Sequence, residues 1–207
     1  MQAGYDLTTT AFKWPFNVSE AESLEIAEAI KVHVRMIHRR LREKAGGVDS
    51  PLKGMGTTLT GVLALGFDAF VAHVGDSQAY LYRNNTLHRL TRDHTLAEQL
   101  VAIGVAKSVD NASVASFRSV LINCLGGNFH DLDVDVCHVP LHDHDQLLLC
   151  TDGLTDMVSE TDLAKILSGP LTAQATRQSL IDAALAYGGR DNVTVVLGRW
   201  LAQQSLY

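Results

Sequence analysis

Four short apolar runs follow one another between Leu59 and Leu90, separated by turns of only a few residues. They occupy positions 59–65, 69–74, 78–82 and 86–90. Their length and their content of aliphatic, aromatic and threonine residues are typical of β-strands. Asn84 and Asn85 between the last two runs favour a tight hairpin turn. Because parallel strands need a crossover of about a dozen residues or more, this spacing predicts an antiparallel sheet.

Helical periodicity occurs on both sides of this strand-rich stretch. Ser19 and Glu22 have the spacing of a capping box, and apolar residues then recur at every third or fourth position up to Gly46 and Gly47. Further helices are predicted at 95–103, 161–167 and 172–187. Further strands are predicted at 132–136, 146–150 and 193–200. Because strands and helices come in blocks and do not alternate, the sequence indicates an α+β fold.

Length and charge narrow the class of protein. The chain has 207 residues, long enough for a sizeable core, so one domain over 1–207 is predicted. With 17 basic and 23 acidic residues, the net charge of −6 predicts that neither nucleic acid nor an anionic membrane is a partner. No apolar stretch approaches the ~18 residues of a membrane-spanning helix. The first residues also lack the basic and apolar regions of a signal peptide.

The cysteines indicate a reducing compartment. Cys124, Cys137 and Cys150 are widely spaced, lie in apolar segments and form no C-x-x-C pair. An odd number of cysteines in such positions is typical of reduced thiols in a protein core. The sequence therefore predicts a cytoplasmic protein.

Three aspartates each stand where an apolar, strand-like run meets a turn of small residues. Asp76 and Asp152 follow such runs, and Asp191 precedes one. A partly buried carboxylate without a partner is costly or becomes protonated. A divalent cation such as Mg²⁺ or Mn²⁺ removes this cost, because it prefers carboxylate, carbonyl and water oxygens. Each aspartate taken alone is an ordinary turn residue, but the three together predict an acidic metal site.

Five motifs occur in one order around these aspartates. They are Gly54-Met-Gly-Thr-Thr-Leu-Thr60, His73-Val-Gly-Asp-Ser-Gln-Ala-Tyr-Leu81, Leu90-Thr-Arg-Asp-His94, Leu149-Cys-Thr-Asp-Gly-Leu-Thr-Asp156 and Arg190-Asp-Asn-Val-Thr194. In this order the motifs resemble the bacterial form of the protein phosphatase 2C family, the metal-dependent (PPM) serine/threonine phosphatases. The resemblance extends from about residue 20 to about residue 199, which is nearly the whole chain.

The resemblance implies a fold, a reaction and a set of ligands. The fold is an αββα sandwich, in which two stacked antiparallel β-sheets are flanked by helices. The reaction is hydrolysis of phosphoserine or phosphothreonine in a phosphorylated protein substrate by metal-activated water, with two or three Mn²⁺ or Mg²⁺ ions as cofactors. By this resemblance Asp152 and Asp191 bind one ion of a pair, and Asp76 joins Asp152 at a third, weaker site. The attack needs no nucleophilic side chain, so Ser77 and Cys150 are assigned structural roles.

One motif of the family is absent from the sequence. An Asp-Gly-x-Gly-Gly segment is expected before the first long helix, and residues 1–53 do not contain it. In the family, the aspartate of this segment bridges two metals. Residues 1–18 are therefore interpreted as an atypical N-terminal segment and 19–200 as the family-like core, with the N-terminal strands missing. We expect either a truncated product or a natural variant with a degraded site.

The missing motif leaves a second function open and predicts an uncovered surface. The alternative is a catalytically impaired, phosphatase-like module that binds or regulates a partner without turnover. A sheet that lacks its edge strands exposes unpaired backbone groups and apolar side chains, which predicts self-association.

Two further clusters have more than one interpretation. Basic residues of the first helix either bind phosphate or form its solvated face and favourable cations near its C-terminus. These residues are Arg35, His38, Arg39, Arg40, Arg42 and Lys44. The tract His142-Asp-His-Asp145 has the composition of a zinc site, but it lies in a turn and lacks a further ligand cluster. A zinc-binding regulatory protein is therefore a third hypothesis.

Overall fold

The computed structural model describes residues 18–46 and 50–202. Within them the helices are α1 (Glu20–Ala45), α2 (Leu96–Ala102), α3 (Asp152–Thr155), α4 (Glu160–Leu167) and α5 (Ala173–Ala186), with a 3₁₀ turn at Ala115–Phe117. The strands are β1 (Gly56–Thr57), β2 (Leu59–Leu65), β3 (Asp68–Val74), β4 (Gln78–Arg83), β5 (Thr86–Arg89), β6 (Leu125–Gly126), β7 (Asp135–Pro140), β8 (Gln146–Cys150) and β9 (Val195–Arg199). The N-terminal segment, assigned as atypical from the sequence, lies outside the described residues except for Val18.

Two antiparallel sheets stack on each other. The first has the strand order β2-β3-β7, and the second has the order β5-β4-β8-β9. Val71 of the first sheet packs with Ala79, Leu81 and Leu147 of the second in one buried cluster. In the register of the second sheet, Leu81 lies opposite Leu147 and Ala79 opposite Leu149. Side chains of alternate residues thus fill the layer between the sheets, as the period of a strand requires.

Helices cover both outer faces of this sandwich. On the second sheet, Tyr80 and Leu148 pack with Leu163 of α4 and Leu180 of α5. On the first sheet, α1 contributes Val34 to a buried cluster with Val74 of β3 and with Val134. The predicted α+β fold, an αββα sandwich with two antiparallel sheets, is confirmed.

Local chemistry accounts for several element boundaries. The capping box at the start of α1 is present: the Glu22 N–H donates to Ser19 Oγ at 3.3 Å, and the Ser19 N–H donates to Glu22 Oε2 at 2.8 Å. Asn84 and Asn85 have φ values of 51° and 61°. This left-handed conformation is the one that a tight hairpin turn requires between β4 and β5. Both sequence predictions are confirmed.

Two strand predictions were wrong in their bounds, and one helix was not predicted. The strand expected at 132–136 lies at Asp135–Pro140, because Leu132 and Val134 alternate as buried residues that pack against α1 outside any ladder. The closing strand expected at 193–200 is Val195–Arg199. Helix α3 is a single turn directly after β8. It is too short to show a helical period in the sequence.

The state of the cysteines and the apolarity of the helices can be compared with the sequence predictions. Cys124 and Cys150 are buried, Cys137 is half-buried, and all three are free thiols. Burial raises the pKa of each thiol, and that of Cys150 reaches about 12. This agrees with a structural role for Cys150, because a protonated thiol is a poor nucleophile. Across residues 18–46 and 50–202, no helix has both the length and the apolarity needed to cross a bilayer.

Candidate active site

The three aspartates singled out from the sequence line one open cleft of about 630 Å³. Asp76 lies in the turn between β3 of the first sheet and β4 of the second. Asp152 is the first residue of α3, immediately after β8, and Asp191 lies in the loop between α5 and β9. Both sheets therefore bring their strand ends to this cleft, although the three residues are far apart in sequence.

A set of backbone and threonine contacts joins the Asp152 turn to the Asp191 loop. The Thr151 hydroxyl donates to the Asn192 carbonyl at 3.1 Å and accepts from the Thr194 N–H at 3.0 Å. Gly153 lies so close to Asn192 that a Cβ atom at this position would collide with the Asn192 carbonyl oxygen. The glycine of the Thr-Asp-Gly sequence is thus required for the close approach of the two turns.

The Asp76 turn is held by His94 and by a glycine. Gly75 has φ +110°, and a Cβ atom there would collide with Thr58. His94 Nδ1 accepts hydrogen bonds from the Gly75 N–H at 3.2 Å and from the Asn123 side-chain amide at 2.8 Å. The ring proton is therefore on Nε2, which lies 3.1 Å from a carboxylate oxygen of Asp135. His94 positions the turn that carries Asp76.

The cleft concentrates negative charge. Burial and the neighbouring carboxylates of Asp152, Asp93 and Asp156 raise the pKa of Asp76 to about 6. The pKa of Asp152 is raised as well, first by burial and then by Asp156, Asp191 and Asp93, although the Gly153 N–H opposes the shift. These shifts have the pattern expected when several carboxylates share one site without enough positive charge.

The donor set fits a hard divalent cation, because carboxylate oxygens are the ligands that Mg²⁺ and Mn²⁺ prefer. A cation would also relieve the repulsion that raises the pKa values of Asp76 and Asp152. In the part of the chain that the structure describes, however, no three His, Cys, Asp or Glu residues form a group that could hold an ion. The chemistry of the residues fits the metal, but the described carboxylates are not arranged as a closed set of ligands.

Five acidic residues of the cleft received no metal-site role from the sequence: Asp93, Glu98, Asp110, Asp156 and Glu160. Asp156 stands four positions after Asp152, a spacing that places both side chains on one face of a helical turn. That spacing could have identified Asp156 in advance. Asp93 accepts hydrogen bonds from Gln78 at 3.1 Å and from Arg89 at 2.5 Å. The positive charge of Arg89 thereby compensates the negative charge of Asp93.

The histidine tract at 142–145 is organised as a turn around one aspartate. Asp145 accepts a hydrogen bond from the His142 N–H at 2.6 Å and forms an ion pair with Arg83. His144 has φ +68°, and its side chain is 81% exposed. Among residues 18–46 and 50–202, this tract forms no group of ligands for a metal ion. The structure therefore does not support the zinc hypothesis.

Asp76→Asn is expected to stabilise the metal-free chain at pH 7.5 by about 1–2 kcal/mol, a value reduced for the partial exposure of Asp76. The pKa of Asp76 in the folded chain is about 6, above its ordinary value of 3.8. As the pH rises between these values, the unfolded chain loses its proton first, so the aspartate lowers stability, and this loss is complete above pH 6. Urea unfolding in EDTA at about pH 4 and pH 7.5 measures the difference, which should vanish at the lower pH.

The matched control for this prediction is Asp110→Asn, which removes an exposed carboxylate from the same cleft. It should change the free energy of unfolding by less than about 0.5 kcal/mol at either pH. An Asp76→Asn variant that is no more stable than the parent at pH 7.5 would contradict the repulsion inferred for Asp76.

The fold and the cleft define the class of protein: a two-sheet αββα domain with an acidic cleft where the strand ends of both sheets meet. The sequence pattern of protein phosphatase 2C matches residues 8–187. The chain therefore belongs to the protein phosphatase 2C family, as the five motifs predicted.

Relatives of known structure or name agree with this assignment. The serine/threonine phosphatase Stp of Listeria welshimeri is 40% identical over 146 residues, which are 70% of this chain and 57% of that protein. The chain thus spans little more than half the length of this relative. The S. agalactiae serine/threonine phosphatase superposes with a TM-score of 0.77 at 30% identity, covering 90% of this chain and 74% of that one.

A second similar structure contains metal. It is the catalytic domain of the serine/threonine protein phosphatase PstP, solved in complex with two manganese ions. PstP is a protein of Mycobacterium tuberculosis. The two structures superpose with a TM-score of 0.66 at 32% identity, covering 84% of this chain and 69% of the PstP domain.

Proposed function

We propose that this chain carries the core of a Mn²⁺- or Mg²⁺-dependent protein serine/threonine phosphatase, with Asp76, Asp152 and Asp191 as metal ligands. The observation that carries the proposal is the meeting of these three strand-end aspartates in one cleft, where the pKa of Asp152 is raised in part by Asp191. The named relatives are serine/threonine phosphatases, and one similar structure holds two manganese ions. The proposed substrate is accordingly a protein that carries phosphoserine or phosphothreonine.

Each side chain has a role in this proposal. Asp152 and Asp191 hold one ion, and Asp76 joins Asp152 at a more peripheral one. When bound, the ions supply charge that screens the phosphoryl oxygens and makes water a stronger nucleophile. Arg190 lines the same cleft and forms no ion pair with any described carboxylate, so its guanidinium is available to orient a phosphate group. His94 and Thr151 keep the two acidic turns in place.

The second candidate is a phosphatase-like module that binds a partner without turnover. One observation favours it: among the described residues, no group of three ligands is placed to hold an ion. The two candidates differ in one measurable property, which is metal-dependent turnover.

Location and further contacts are also part of the proposal. The three free thiols support a cytoplasmic location, and the net charge of −6 supports the absence of nucleic acid and anionic membrane partners.

The outer strands of the first sheet, β2 and β7, each pair on one side only among the described strands. Leu63 of β2 is 44% exposed. These edges support self-association as a property of the chain.

Isothermal calorimetry with Mn²⁺ tests the ligand assignment. Asp152→Asn and Asp191→Asn should abolish the binding heat, whereas Asp76→Asn should weaken binding less, because the proposed assignment shares Asp152 between two ions and places Asp76 at the peripheral one. Asp182→Asn on α5, outside the cleft, is the matched control and should bind like the parent. Binding that survives both Asp152→Asn and Asp191→Asn would refute the site. A larger loss in Asp76→Asn than in Asp152→Asn would reverse their roles.

A further inference from the structure

A second cleft, of about 510 Å³, lies between helix α1 and the segment 130–132. Three arginines of α1, Arg35, Arg39 and Arg42, line it together with His38. Their spacing of three and four residues places them along one side of the helix. The two clefts share no lining residue. The basic cluster seen in the sequence thus belongs to a concave surface separate from the acidic site.

His38 contributes a buried donor without a partner to this cleft. The ring is 5% exposed, and its Nδ1 accepts a hydrogen bond from the Gly126 N–H at 3.1 Å. Because Nδ1 acts as the acceptor, the neutral ring carries its proton on Nε2. Among residues 18–46 and 50–202, Nε2 of His38 is the one buried side-chain nitrogen or oxygen that has no hydrogen-bond partner. This nitrogen has almost no accessible surface, so it adds a buried polar group to the cleft lining and is not itself a contact point for a ligand.

The arginines of the cleft also retain free donors. Arg42 donates to the His130 carbonyl at 3.2 Å and to His130 Nδ1 at 3.0 Å, which orients one side of its guanidinium and leaves other N–H groups unused. Arg35 donates to the Leu132 carbonyl at 3.5 Å. Arg39 donates no hydrogen bond within the part of the chain that the structure describes.

The charge balance of the cleft favours an anion. Two carboxylates, Glu43 and Asp131, also line it, but neither lies within 4.0 Å of an arginine there. The positive charge of the three arginines is therefore not paired internally. A merely solvated helix face accounts for exposed arginines, but it does not account for a buried ring N–H beside them.

We propose that this cleft is a binding site for a phosphate dianion, held by Arg35, Arg39 and Arg42. Guanidinium groups match phosphate oxygens through paired hydrogen bonds. Three guanidinium groups offer more donors than the two oxygens of a carboxylate can accept. The dianion could be free inorganic phosphate or the phosphoryl group of a phosphorylated protein side chain. The site requires no metal and does not depend on the proposed hydrolysis.

Calorimetry in EDTA tests the site without the metal chemistry of the first cleft. Inorganic phosphate and a phosphoserine peptide should each bind to the full chain, and Arg39→Gln should weaken both at least about tenfold, because it removes a charge-assisted contact. A matched control should bind like the parent: Arg40→Gln changes an arginine of the same helix outside the cleft.

Ring ¹H–¹⁵N spectra give a second readout on His38 itself. Phosphate should shift the Nε2 resonance that is missing from the His38→Gln spectrum, while acetate at the same concentration should not. If His38→Gln does not fold, the arginine variants still decide the question. The ratio of the two affinities identifies the source, because a protein phosphoryl group would bind tighter as a peptide than as free phosphate. Equal binding by Arg39→Gln and Arg40→Gln, an equal response to acetate, or no binding would overturn the proposal.

Discussion

Joining a segment with the family's Asp-Gly-x-Gly-Gly motif to the start of α1 is expected to raise Mn²⁺-dependent hydrolysis of p-nitrophenyl phosphate by about 10²-fold or more. The physical reason is the incomplete donor set of the cleft: Asp76, Asp152 and Asp191 line it, but no described group of three could hold an ion. One more carboxylate would raise the affinity for the metal ion, and the bound ion would compensate the charges of the carboxylates that repel one another. The measurement is turnover of the chain and of the chimaera at saturating Mn²⁺.

Two further variants of the chimaera make the comparison specific. Replacing the aspartate of the joined motif by asparagine should return turnover to the level of the parent chain. Asp191→Asn should abolish turnover altogether. Equal turnover in the chain and the chimaera, lost in both with Asp191→Asn, would show that the chain completes the site with other residues. No turnover in any form would favour the binding module.

Asp145→Ala should destabilise the fold by about 3 kcal/mol or more, because it leaves a partly buried cation without its partner. Arg83 of β4 donates to both carboxylate oxygens of Asp145, at 3.0 Å and 2.5 Å. Arg83 also donates to the Pro140 carbonyl at 2.7 Å, at the end of β7. The Asp145 side chain is 2% exposed. Arg83 therefore holds the end of β7 in the first sheet to β4 in the second sheet, and its ion pair with Asp145 keeps the guanidinium in place.

The matched control is Asp110→Ala, which breaks an Arg–Asp pair at the surface, where the partner Arg118 is 51% exposed. That change should cost less than about 1 kcal/mol. Chemical denaturation at neutral pH compares the two variants. A loss for Asp145→Ala no larger than that for Asp110→Ala would refute the role assigned to the buried pair.

The effect of Asp145→Ala should also depend on pH. Burial alone would raise the pKa of Asp145, but hydrogen bonds from Arg83 and from the His142 N–H prevail and hold it below its ordinary value. A lowered pKa in the folded state means that the contribution to stability is present above the unfolded pKa of about 3.9 and is lost as the pH falls below it. The stability difference between parent and variant should therefore shrink below about pH 4.

Elements with a strong local signal were predictable from the sequence. The capping box at Ser19, the asparagine turn at Asn84 and the apolar runs of β2 and β8 each depend on chemistry within a few residues. The prediction of a strand at 132–136 failed because alternation reports burial on one face, and this burial is against α1 and not within a ladder. The position of β7 is determined by its pairing with β3, which is distant in sequence.

The basic cluster of α1 also contains a difference between residues that the sequence alone could not predict. In the sequence, Arg39 and Arg40 are adjacent and chemically identical. In the structure, Arg39 lines a cleft and Arg40 does not, because the segment around His130 packs against one side of the helix. The buried, unpartnered Nε2 of His38 depends on Gly126, 88 positions away in the chain, which occupies the other ring nitrogen.

By itself, the sequence determined the fold class, the family and the identity of three acidic residues, because these follow from periodicity, turn chemistry and motif order. The tertiary structure decided how those residues act together. Only the stacking of the two sheets brings Asp76 into the cleft of Asp152, where burial and the charge of Asp152 raise the pKa of Asp76. In the sequence, Asp145 belongs to a tract with two histidines. It is the ion-pair partner of Arg83 only because β4 pairs with β8. Charge and burial depend on neighbours in space, and those neighbours are distant in the chain.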